Sequence, residues 1–411
     1  MAAKQLSLKA NMLWNSFGSL TNLACQWLVT ILIVRMGSGY EAAGTFSLAM
    51  SVYNIFAPIG QYRMYTYQVT DVADENTTGE YLSFRFITNG VALFLCMVYA
   101  AATCDPSALN AIFLYAVYKS ACLVLDVFHA CDQRNYRMDY IGQSLALQGV
   151  ASLLSFVAAF AYSSSLEWAI VAMTLSVVLI GTVYDWPRVR QFGPISLGIT
   201  IPKVKHLVVR CFPIVLASIA AAAALSIPRQ FLAAVHGDAV LGIYAAAAAP
   251  VALIQTGASY IYNPLLGYFS ERYAEKDRAG FTVLLSKATT GIIALGLLCS
   301  LGVMILGEPV LVLVYGSKMS GFGYLLFPLV LLSLVTGYMW FINDLLMAIR
   351  NFRATFLGNI VALVLSIVCL PFIIRFEMSG VTLACIVSSF GGTAFMLGSL
   401  ILQLRVYWGS S

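Results

Sequence analysis

Long apolar windows and short polar connections alternate along the whole chain. A hydrocarbon layer about 30 Å thick needs roughly 20 apolar residues per helix, and windows of that length recur throughout. They predict helices near residues 11–34, 44–64, 86–102, 109–130, 142–162, 168–186, 211–235, 240–264, 288–307, 323–343, 357–374 and 381–404. None shows the period-two alternation of a barrel strand, and a helix satisfies its backbone groups within its own segment. The expected fold is therefore an all-α polytopic membrane protein with about twelve transmembrane helices. Lys4 and Lys9 precede the first window as they would in a cleaved leader, but its length and the spans that follow mark it as retained.

Composition agrees with the pattern: 60% of the 411 residues are apolar and 10% charged, against about 25% charged in a soluble domain. The nine cysteines are scattered singly, with no C-x-x-C pair, and read as small packing residues. No phosphate-binding glycine loop, metal-ligand cluster or nucleophile triad is present. Neither a cofactor nor an enzymatic activity is expected.

Charge sets the topology. With a cytoplasmic N-terminus, Arg35, Lys318 and Arg375 are the only ones of the 23 basic residues to fall outside, while Lys119 and Arg229 lie within spans. Such a bias obeys the positive-inside rule and places both termini in the cytoplasm. The net charge of +5 then reflects short basic loops beside anionic lipid headgroups, and calls for no nucleic-acid partner. Asn76-Thr77-Thr78 matches a glycosylation acceptor, but falls on the cytoplasmic side and is read as accidental.

A two-fold organisation shows where Gly39-Tyr40-Glu41-Ala42-Ala43-Gly44-Thr45-Phe46 aligns with Gly237-Asp238-Ala239-Val240-Leu241-Gly242-Ile243-Tyr244. Each stretch is followed by an apolar span and an acidic-basic loop, Asp71 to Arg85 and Glu271 to Lys287. Residues 1–186 and 211–411 are expected to form two parallel six-helix bundles around a central cavity. The segment 187–210, with Pro187, Pro194 and Pro202, is expected to link them and absorb their motion.

Three blocks carry a family resemblance. Gln68-Val69-Thr70-Asp71 with Tyr81-Leu82, Arg85 and Ile87-Thr88 resembles the second cytoplasmic loop of bacterial polysaccharide or O-antigen-type flippases. Those flippases belong to the multidrug, oligosaccharidyl-lipid and polysaccharide exporter superfamily. Lys119, Asp126, Gln133-Arg134, Arg137-Met138-Asp139-Tyr140-Ile141-Gly142 and Ser144 are similar to the fourth span and its loop. Phe212-Pro213, Ile227-Pro228-Arg229, Gly242-Ile243-Tyr244 and Asn263-Pro264 are similar to spans seven and eight. Where family members often carry an acid and a base, this chain has Cys122 and Gln148. The resemblance implies a multi-pass protein of the bacterial inner membrane. Its substrate would be an oligosaccharide on a polyprenyl diphosphate, moved headgroup-first to the outer leaflet. A proton or sodium gradient and other polysaccharide-assembly proteins would be its partners.

The charges inside the spans are the candidate site. A central arginine costs roughly 2.5 to 3.5 kcal/mol on insertion scales, so Arg229 needs compensation. It would grip diphosphate or acidic-sugar oxygens beside a helix break at Pro228 that frees backbone groups toward a cavity, or else form a structural pair with a neighbouring helix. Lys119 would add a second cation. Asp126, seven residues on, is a candidate ion-coupling group, or a structural partner for His129, Arg134 or another helix end. Arg63, among Tyr62, Tyr65 and Tyr67, would hold a phosphate at the cytoplasmic mouth while the rings stack on sugar, although an interfacial aromatic belt explains the same grouping. An ion-coupled multidrug antiporter is the nearest rival reading. A membrane glycan polymerase is a more distant one, because the outer loops are short and poor in catalytic side chains.

Overall fold

A computed structural model describes residues 7–71 and 74–409 of the chain. Lys4 and the two chain ends, on which the orientation rests in part, lie outside the described residues. Among those residues eleven helices are long and apolar enough to cross a membrane, and Phe352–Val368 is a shorter apolar one. The protein is thus an all-helical multi-pass membrane protein.

The chain divides into two compact units, residues 1–215 and 216–411. The first contains α1 (Leu8–Met36), α2 (Glu41–Gln61), the short α3 (Met64–Thr70), α4 (Thr78–Thr103), α5 (Leu109–Arg134), α6 (Met138–Ser163) and α7 (Leu166–Ile180). A π turn, Gly181–Asp185, carries α7 into α8 (Trp186–Val189). α9 (Ile201–His236) begins in this unit and ends in the second. There follow α10 (Asp238–Tyr262), the short α11 (Leu266–Ala274), α12 (Arg278–Tyr315), α13 (Leu326–Ala348), α14 (Phe352–Val368) and α15 (Pro371–Gly409), the last interrupted at Glu377.

The two units repeat one plan. α5 packs against α2, α4 and α7 in the first, as α13 packs against α10, α12 and α15 in the second. Each central helix ends in the same turn. Tyr136 and Arg350 adopt positive φ, and the following N–H reaches back five residues, Arg137 to Asp132 O at 2.9 Å and Asn351 to Leu346 O at 2.8 Å. This left-handed cap satisfies carbonyls that the helix end would otherwise orphan.

Burial separates inner from lipid-facing helices. Only 11% of the apolar window of α12 is buried, against 50% for the helix containing α5 and 61% for that containing α13. α1 and α6 cross backbone to backbone: a Cβ on Gly18 would lie 2.2 Å from the Gly142 carbonyl oxygen, so neither position admits a side chain.

Residues 201–210, within the expected linker 187–210, form the first turns of α9, where Pro202 sits at the helix start and its missing N–H costs nothing. The non-helical stretch and the first turn of α9 are both fastened to the α4 side of the unit. The Gly198 N–H donates to Ser83 Oγ (2.8 Å), and Lys203 Nζ reaches both Glu80 carboxylate oxygens (2.8 Å) and the Glu75 carbonyl (2.9 Å).

Candidate functional site

In the first unit the candidate charges gather on the inner faces of α4 and α5. Lys119 is half-buried, its Nζ 5.3 Å from the ring centre of Tyr118 and 5.7 Å from that of Tyr115. Tyr115 in turn sits edge-on to Phe46 and Tyr53 of α2. The ring faces supply part of the electrostatic compensation that a membrane-embedded ammonium requires.

Asp126, two turns further along α5, lies within electrostatic range of Lys119 and of Arg85 on α4, yet joins no ion pair among the described residues. Two of the structural partners expected for it, His129 and Arg134, are engaged elsewhere. His129 lies beside Asp185 and Ser144, and Arg134 bonds Asp74 Oδ1 (2.5 Å) and the Asp71 carbonyl (2.8 Å).

Arg85 is the residue that sequence reasoning misplaced. Assigned to a cytoplasmic loop edge, it is in fact 1% exposed, and its Nη1 donates to the Gly60 carbonyl. α2 ends at Gln61 because Tyr62 and Arg63 both turn left-handed, which leaves Gly60 O without a helical donor. Arg85 and Thr88 Oγ1 (3.0 Å) fill that role, and the cation also meets the negative end of the helix dipole. The signal that would have found it is the pairing of a deep arginine with a helix that stops early, visible only once α2 and α4 are neighbours.

Arg63 is exposed and caps the start of α3, its carbonyl accepting from the Tyr67 N–H at 3.1 Å. The neighbouring tyrosines are held by the protein. Tyr62 is buried edge-on against Phe84, and Tyr65 donates to Gln133 Oε1 (2.6 Å). Tyr67 donates to Glu75 (3.1 Å) and accepts from Arg210 (2.8 Å). Through these bonds they brace the start of α3.

Arg229 belongs to the second unit. It is half-buried on α9, near Tyr244 and Cys385, and its Nε is buried without a hydrogen-bond partner. It joins no ion pair among the described residues. Pro228 deprives the Ala224 carbonyl of its helical N–H, but that oxygen does not open onto a cavity: Ser366 Oγ of α14 donates to it at 2.7 Å. Asp344 on α13 accepts from the Tyr262 hydroxyl at 2.9 Å. Three clefts within the units, of about 450, 580 and 570 Å³, are bordered by apolar side chains and hold none of these charges. No three His, Cys, Asp or Glu side chains converge to hold a metal among the described residues.

No protein-family model matches the chain. Over 299 residues it is 23% identical to the capsular polysaccharide biosynthesis protein CapF of Staphylococcus aureus, a match covering 72% of this chain and 74% of the relative. In three dimensions it is similar to an inward-facing multidrug resistance MATE family transporter of the MOP superfamily, with TM-score 0.71, 12% identity, and 98% and 99% of the two chains covered. It is also similar to the lipid II flippase MurJ in an inward closed conformation, with TM-score 0.73, 12% identity, and 96% and 89% covered. A third likeness is to the Vibrio cholerae MATE transporter VcmN, with TM-score 0.64, 14% identity and 98% of each chain covered. The chain therefore has the fold shared by these MATE transporters and MurJ.

Proposed function

We propose that this protein is a flippase of the bacterial inner membrane that moves a polyprenyl-diphosphate-linked oligosaccharide from the cytoplasmic to the outer leaflet. The observation that carries the reading is Arg229, a cation on an apolar membrane helix with a buried, unpartnered Nε and, among the described residues, no carboxylate ion-pair partner. An uncompensated arginine is costly in such a place, and an anionic ligand such as a diphosphate supplies the missing charge and acceptors. Lys119, cushioned on its tyrosines, and Arg63, exposed after α2, are proposed as further contacts for the headgroup. Pro228, inside α9 next to the grip, is proposed as a hinge, and Asp126 as the group that binds a coupling ion. The likeness to CapF favours a glycan cargo, and the fold favours alternating access over chemistry.

The test uses proteoliposomes carrying a fluorescent polyprenyl-diphosphate oligosaccharide in the inner leaflet. Wild-type protein should expose the headgroup outside, and Arg229→Ala should abolish that exposure at equal protein abundance. Undiminished translocation by the variant would remove Arg229 from the mechanism. The MATE likeness supports a second reading, an ion-coupled multidrug antiporter. Efflux of a lipophilic cation from the same vesicles, without headgroup exposure, would decide for it.

A further inference from the structure

Where α5, α6 and the π turn after α7 meet, they bury a second polar cluster that the proposed transport path does not use. Asp132 and Asp185 are both 0% exposed, His129 is 3% exposed and Ser144 0%. The π turn rotates Asp185 into the bundle, where its Oδ2 accepts from Ser144 Oγ at 2.9 Å. Ser144 Oγ in turn accepts from Gln148 Nε2 (2.9 Å) and lies 3.1 Å from His129 Nε2. Because the one hydroxyl proton points at Asp185, His129 must present an N–H to Ser144, which fixes its tautomer.

Asp132 stands one turn beyond His129 on α5, and neither of its carboxyl oxygens has a hydrogen-bond partner. Asp185 Oδ1 also lacks one, with His129 Nε2 3.8 Å away. The groups facing Asp132 are Tyr184, Asp185 and Arg188 from the segment after α7, Arg137 and Asp139 from the start of α6, and Tyr65 from α3. Its neighbour on α5, Cys131, takes the Thr78 hydroxyl of α4 at 3.6 Å.

The nearby cations are committed elsewhere. Arg137 forks onto Asp139 at 2.8 and 2.7 Å. Arg188 lies 3.4 Å over the Tyr184 ring and donates to the Tyr184 carbonyl at 2.8 Å. Arg134 is held by Asp74 and the Asp71 backbone. An ionised carboxylate sealed in such a place, beside a second acid and without a donor, is so unfavourable that it neutralises instead.

We infer that Asp132, grouped with Asp185 and His129, is a proton-binding site of this protein. The proton sits on an Asp132 carboxyl oxygen while the cluster is closed, and leaves to water only when α5, α6 and the π turn part. The cluster thereby links proton binding to helix separation, whatever cargo the protein moves.

Infrared spectroscopy of the purified protein in phosphatidylethanolamine–phosphatidylglycerol bilayers reads the site directly. Wild-type protein should show the C=O stretch of a protonated carboxyl at neutral pH, diminished in Asp132→Asn, shifted in Asp132→Glu and retained in a variant of the exposed Asp105, Asp105→Asn. The Glu variant keeps the test informative if the Asn variant does not fold. A wild-type spectrum from both Asp132 variants would overturn the assignment. So would loss of the wild-type band on replacing choline by sodium at constant pH, since the site would then hold a metal cation. None of these readings requires transport, so their failure is separable from failure of the flippase reading.

Discussion

Ser366 Oγ donates to the carbonyl of Ala224 at 2.7 Å, taking the place of the N–H that Pro228 cannot supply. The proline is thereby tolerated inside an apolar helix, and α14 is tied to α9 at the level of the break. Ser366→Ala should destabilise the protein by about 1 kcal/mol, the usual net value of such a bond. The loss should shrink when Pro228 is also replaced by Ala, because the new backbone N–H then satisfies Ala224. A thermal-unfolding double-mutant cycle measures the difference, and strict additivity would mean that the hydroxyl and the proline are energetically unconnected.

The spans were legible because hydrocarbon thickness sets their length. Helix ends were less so. α9 runs ten residues ahead of its apolar window, since nothing in bilayer physics stops a helix at the headgroups when Lys203 and Lys205 can solvate its first turns. Lys119, Asp126 and Arg229 were visible as charges in apolar runs. Arg85 was not, because its sequence neighbours Glu80 and Ser83 look like a loop edge, and only the early end of α2 explains why a cation is drawn inward. Asp132 and Asp185 escaped for a similar reason. Each lies near a helix end among charged residues, and their burial depends on the π turn and on α6 closing over them.

Arg85→Met should expose the cost of leaving Gly60 O with Thr88 alone. Hydrogen bonds to charged groups are worth roughly 1.5 to 3 kcal/mol, so a clear drop in thermal stability is expected in detergent. Arg85→Lys should recover only part of it, since an ammonium keeps the charge but not the planar fork. A variant as stable as wild type would show that Arg85 does not secure the α2 end, and would move it to the list of substrate contacts.

Gly79 is where the linker lies closest to α4: a Cβ there would meet the Ser196 carbonyl oxygen at 2.0 Å. No side-chain rotation relieves a clash with backbone, so Gly79→Ala should lift residues 194–198 from the helix. Overpacking of this kind costs about 1 to 3 kcal/mol. Limited proteolysis should cut the variant in that stretch under conditions that leave wild-type protein intact. Equal resistance would mean that the Gly198–Ser83 and Lys203–Glu80 bonds hold the linker without close packing.

Asp71 gives a pH dependence with a definite sign. Burial pushes its pKa upward, but the Tyr81 hydroxyl (2.7 Å), the backbone N–H groups of Glu75 (3.0 Å) and Asn76 (3.2 Å) and the charge of Arg134 outweigh it and hold the carboxyl below its ordinary value. A group depressed on folding contributes stability that is fully present above its unfolded pKa, about 3.9 for Asp. That contribution is lost as pH falls through the folded value. Asp71→Asn should therefore melt lower than wild type near neutral pH, with the two melting temperatures converging as the medium is acidified below pH ~4. A gap that stays constant across that range would mean that the geometry of the side chain matters and its charge does not.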